Sequence, residues 1–89
     1  MKIADNIYYR YEKNIDNGIL YIYNFDTELL IKSKNFTYQI LRLIESKEDY
    51  EMQTLIIDLQ KMYPNIIEEE LEQLITTTIT FLYNRNVII

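Results

Sequence analysis

The hydrophobic rhythm of the chain changes once, and the change separates a strand-like first third from a helical remainder. From Ile7 to Glu12 the residues are aromatic-rich with a partial period of two, which puts Ile7, Tyr9 and Tyr11 on one face of an extended segment. Asp16-Asn17-Gly18 follows, a strong hairpin signal because Asn and Gly both tolerate positive φ. Ile19 to Tyr23 reads as the return strand. After a second turn at Asn24-Phe25-Asp26, Thr27 to Lys32 reads as a third strand. On it Leu29 and Ile31 share one face, while Glu28, Leu30 and Lys32 share the other. The pattern predicts a three-stranded antiparallel meander.

Beyond Lys32 the period lengthens. Phe36, Ile40, Leu41, Leu43 and Ile44 recur at helical spacing from about Lys34 to Glu45, and Ser46-Lys47-Glu48-Asp49 is a polar break. Met52, Leu55, Ile56, Leu59, Met62 and Tyr63 mark a second helix, closed by Pro64. Asn65 and Glu68 have the spacing of a capping box, and Glu68, Glu69 and Glu70 fall in a first turn whose dipole favours negative charge. The third helix is expected to run to about Asn84 with Ile67, Leu71, Leu74, Ile75, Thr78, Phe81 and Leu82 on one face. Thr76 to Thr80 is β-branched and a poor helix former, but the flanking period and the cap outweigh it. Arg85 suits the C-terminal end, and Val87-Ile88-Ile89 is a short apolar tail. The expected fold class is α+β in the order βββααα, with residues 1–89 as a single domain.

Composition narrows the chemistry. With 89 residues, 48% of them hydrophobic, the chain can fill one core. It has no Cys and no His, which removes Ser-His and Cys-His nucleophile systems and the usual zinc ligands. Glu68, Glu69, Glu70 and Glu72 do not make a metal site, because consecutive helical residues splay by about 100°. No cofactor is expected, and the chain reads as a binding module rather than an enzyme. Residues Met1 to Ile7 lack the apolar core of a signal peptide, and no apolar run approaches a membrane span, so a soluble cytoplasmic protein without membrane contact is expected.

Two features could carry binding. An unpaired third strand would present free N–H and C=O groups to an extended peptide, and Leu30 between Glu28 and Lys32 gives it the mixed outward face of an edge. On the third helix Leu71, Ile75, Thr78 and Leu82 lie near the centre of the apolar stripe. Leu74, Phe81 and Arg85 lie along one flank and Ile79 and Tyr83 along the other, and either flank suits the wall of a groove. Among the nine tyrosines, Tyr8, Tyr9, Tyr11, Tyr21 and Tyr23 suit cross-strand pairing or a partner surface.

Laid out in this order, the chain resembles the PqqD-like proteins, also called RiPP recognition elements. The resemblance runs over about residues 7 to 89. It is carried by the tyrosine-rich first strand, "NGILYIY", "TELLIKSKNFTYQILRLIES", "MQTLIIDLQKMYP" and the final helix "EEELEQLITTTITFLYNRNVII". The chain departs from the family in placing Thr37 and Tyr38 mid-helix, where a small residue is common, and Ser46-Lys47 where Gly is common. The resemblance implies a winged helix-turn-helix-like fold that captures the leader segment of a ribosomally made precursor peptide. The leader would add as a strand beside the third strand, between it and the third helix. That puts Glu28, Leu29, Leu30, Ile31, Lys32, Leu74, Thr78, Phe81 and Arg85 in the peptide site. The partner would be a separate modifying enzyme: a radical enzyme, protease, cyclase or dehydratase.

Two rival classes are weighed against it. A winged-helix DNA-binding regulator needs Lys and Arg aimed at phosphates. Residues 1–44 carry five acids and six bases, but residues 45–89 carry nine acids and three bases, net −6, and the longest helix opens on three glutamates. Nucleic acid is therefore not an expected partner. A small dimerising adaptor is the other rival, since a free strand edge also supports a homodimer.

Overall fold

The computed structural model describes residues 1–89. The elements are β1 (Ile7–Glu12), β2 (Ile19–Asn24), β3 (Leu29–Ser33), α1 (Asn35–Glu45), α2 (Met52–Met62) and α3 (Glu68–Asn84). This is the α+β arrangement βββααα. The sheet order is β1-β2-β3 with both pairings antiparallel, so β2 is central and β1 and β3 are rims. Leu20 and Ile22 of β2 are fully buried and meet Ile40, Leu41, Ile44, Leu55, Leu59, Leu71, Ile75, Ile79 and Leu82 from the three helices in one cluster.

The first hairpin is wider than a two-residue turn. Glu12 pairs with Ile19 across a loop in which Asp16, Asn17 and Gly18 all take positive φ, at 47°, 62° and 106°. At the second hairpin the strand expected from Thr27 begins only at Leu29. The cause is Asn24, which is buried. Its side-chain oxygen accepts the backbone N–H groups of Asp26 at 2.9 Å and Thr27 at 3.1 Å, and the Asn6 amide at 3.0 Å. The Asn24 carbonyl then takes the Glu28 N–H at 2.8 Å, and Glu28 sits at φ 59°. Thr27 and Glu28 are wound into this turn and do not extend β3.

Helix α3 also begins later than the capping-box spacing implies. Ile66 N–H donates to the Tyr63 carbonyl at 3.2 Å, which uses the chain around Asn65 in a turn. Ile67 takes the N-cap position without a side-chain hydrogen bond. The buried line of α3 is Leu71, Ile75, Ile79 and Leu82. Ile67 and Leu74, expected on that face, are 66% and 47% exposed, and Thr78 is only half-buried. Thr76 to Thr80 remain helical because Ile75 and Ile79 are anchored in the core; burial outweighs a propensity cost of a few tenths of a kcal/mol per residue.

Residues 87–89 are not a loose tail. Val87 and Ile88 are fully buried, and the segment pairs with Lys2 to Ala4 through an Ile3–Ile88 bridge and three backbone hydrogen bonds of 2.8–2.9 Å.

Candidate functional site

The backbone of β3 decides what the site can do. In an antiparallel pair, alternate residues point both N–H and C=O toward the same neighbour. Phe25 N–H donates to the Asn6 carbonyl at 2.9 Å, which places the bonded positions of the β1–β2 register at Tyr8–Tyr23, Arg10–Tyr21 and Glu12–Ile19. Leu20, Ile22 and Asn24 of β2 therefore turn their backbone groups to β3 and engage Ser33, Ile31 and Leu29. By alternation, the N–H and C=O groups of Leu30 and Lys32 point away from the sheet. No turn, loop or cap hydrogen bond uses them. The rim of β3 is thus a template of two residues, free for an incoming strand.

The helices leave that rim uncovered. Helix α1 lies toward β1, where Tyr38 stacks on Tyr11 at 4.4 Å, meets Tyr9 edge-on at 6.3 Å, and Glu45 accepts the Tyr9 hydroxyl. On the core-facing side of β3, Ile31 packs against the core but Leu29 is 63% exposed. Helix α3 begins near Tyr63, which packs on Phe36 at 5.6 Å beside the Ser33 end of β3. It ends next to Val87, which bonds Ala4 at the Ile7 end of the sheet, where β3 begins. The helix and the strand therefore run in opposite senses.

Of the residues expected in the site, Leu29, Ile31, Leu30 and Lys32 occupy β3, and Glu28 lies in the turn before it. Leu74, Thr78 and Phe81 share one flank of α3, and Arg85, its C-cap residue, follows Leu74 by eleven positions. Phe81 is half-buried against the core, and the Arg85 guanidinium lies over its ring at 5.0 Å. The Thr78 hydroxyl donates to the Leu74 carbonyl at 2.8 Å. On the opposite flank Ile79 belongs to the core, while Tyr83 is exposed. The four main surface depressions are lined by the N-terminal segment with the α1–α2 connection, by β1 with α1, or by α3 alone, and none by both β3 and α3. An exposed strand rim of this kind suits backbone pairing with an extended peptide.

The face of the sheet turned away from the helices was only partly legible in the sequence. The register aligns Tyr8, Tyr23 and Leu30 in one cross-strand row and Arg10, Tyr21 and Lys32 in the next. Tyr23 meets Phe25 edge-on at 5.0 Å, and the Lys32 ammonium lies over the Tyr21 ring at 5.9 Å. Tyr9 and Tyr11, by contrast, are inward residues. Burial, then the hydrogen bond and charge of Glu45, push the Tyr9 hydroxyl well above the usual phenol range; burial and Asp58 do the same to Tyr50.

No protein-family model matches the chain, and no curated protein matches it. A solved structure does. TbiB1 in complex with the TbiA(beta) leader peptide matches with a TM-score of 0.76 at 16% sequence identity, over 99% of this chain and 94% of that chain. The chain has the fold of TbiB1, and this agrees with the architecture that the likeness to RiPP recognition elements implies. No helix is long and apolar enough to cross a membrane.

Proposed function

We propose that this protein is a leader-peptide-binding module of the RiPP recognition element kind, which holds a precursor by strand addition and performs no chemistry itself. The observation that carries this reading is the free rim of Leu30 and Lys32 beside exposed Leu29. It lies in a fold that TbiB1 shares over almost the whole chain, and TbiB1 is in complex with a leader peptide. Leader residues on the groove side contact Leu29, Ile31, Leu74, Thr78, Phe81 and Arg85, while those on the outer side pass Leu30, Lys32 and Glu28. The bound precursor is presented in the cytoplasm to a separate modifying enzyme: a radical enzyme, protease, cyclase or dehydratase. Pairing of two copies through β1, the other rim, would leave both β3 rims open, so a homodimer is compatible with this role.

The test is titration of the folded protein with synthetic leader segments from short reading frames neighbouring its gene, followed by amide hydrogen exchange. Binding should slow exchange at Leu30 and Lys32 and leave Leu29, Ile31 and Ser33, already paired with β2, unchanged. A leader that binds without protecting Leu30 and Lys32 would refute strand addition at this rim. Replacing Phe81 with Ala should weaken binding by about five- to thirtyfold, the loss expected for an aromatic contact of 1–2 kcal/mol. Unchanged affinity would remove α3 from the site.

A further inference from the structure

The β3 rim carries a charge order. Glu28 stands before it, Leu30 follows, and then come Lys32 and Lys34. Lys34 is the residue before α1 and keeps an extended backbone, at φ −114° and ψ −178°, so the strand alternation continues through it. Leu30, Lys32 and Lys34 therefore stand on the same outer face. Both lysines are exposed, and neither is in a salt bridge. Leu30 is 54% exposed and neighbours Tyr23, which in turn meets Phe25, itself 61% exposed. The outer row is thus apolar at one end and twice cationic at the other, two residues along.

In a strand added to β3, the residue directly opposite a rim residue projects from the same face, with Cβ atoms about 5 Å apart. We infer that Lys32 and Lys34 make the rim selective for an extended peptide with an acidic residue opposite them and an apolar or aromatic residue two positions away, opposite Leu30. This rests on the strand-addition reading above and adds a selection rule to it. The intervening peptide residue faces the helical side of the sheet, where exposed Leu29 favours an apolar side chain. The required segment alternates sides as apolar outward, apolar inward, acidic outward.

A plainer role for edge lysines is to discourage sheet-to-sheet aggregation. That role predicts no preference for acidic peptides, so the two can be separated. The probe is a displayed library of random decapeptides, panned on the wild-type chain and on the K32E/K34E double variant, with circular dichroism confirming that the variant is folded. The wild type should enrich Asp or Glu two positions from an apolar residue, and the variant should enrich Lys or Arg at that same position. Changing the selected Glu to Gln should lower affinity for the wild type about two- to fivefold, the size of one cross-strand charge pair. K32Q alone should give part of that loss. Selected peptides that protect the Leu30 and Lys32 amides with no charge bias, or with the same bias for both proteins, would overturn the selection rule and leave strand addition standing. Selected peptides that protect neither amide would overturn both.

Discussion

Gly18 is the residue whose identity the hairpin most depends on. It sits at φ 106°, where an L side chain is strained, and a Cβ there would run into the Tyr11 hydroxyl and ring. Gly18→Ala should therefore destabilise by more than about 1 kcal/mol, read as a lower urea midpoint. Adding Tyr11→Phe removes the hydroxyl but not the backbone strain, so the double variant should recover only part of the loss. The tyrosines Tyr9, Tyr50 and Tyr63 make a second prediction. Each holds its proton more tightly when folded, chiefly because burial disfavours the phenolate. The unfolded chain releases these protons near pH 10, so their contribution is intact below that and declines as pH rises further. Alkaline urea titrations should show stability falling above about pH 10, with Tyr50→Phe, which removes the donor to Asp58, making the decline shallower.

At the scale of elements, helix α3 offers a clean test of capping. Its N-cap is Ile67, which makes no side-chain hydrogen bond and is 66% exposed. Ile67→Ser should stabilise the chain by about 1 kcal/mol by satisfying a first-turn N–H, measured as a raised urea midpoint. That Ile67 and not Asn65 caps the helix shows where sequence reading stops. The Asn-to-Glu spacing is a local signal, and it lost to a turn held by the Tyr63 carbonyl. Period-two and helical patterns found all six elements, since burial of one face writes itself into residue spacing. The start of β3 was not legible, because it depends on Asn24 collecting donors from Asn6, Asp26 and Thr27 after the hairpin has formed. Within the site, the sequence could place Leu30 and Lys32 on one face but not show which backbone groups were free. That follows from the ladder parity, which only pairing defines. Nor could the sequence show that Ile79 enters the core while Leu74 on the other flank stays exposed.

Across the whole molecule, the first and last residues described close on one another. Lys2 to Ala4 and Val87 to Ile89 form a two-stranded clasp, and Val87 and Ile88 complete the core beneath it. The clasp holds the C-terminal end of α3 at the end of the sheet where β3 begins. Ile88→Ala removes a fully buried side chain and should cost about 2–4 kcal/mol, a large share of the roughly 5–15 kcal/mol typical of a domain. Thermal melts should register a fall of at least about 10 °C. A peptide that recognises only the folded site must oppose this loss by mass action, adding about 2.7 kcal/mol when its free concentration is a hundredfold above Kd. Saturating peptide should therefore raise the melting temperature of Ile88→Ala, and it should rescue far less in Ile88→Ala combined with Phe81→Ala, where the proposed site itself is damaged. Equal rescue in the two variants would mean that the stabilising contacts do not include Phe81 of α3.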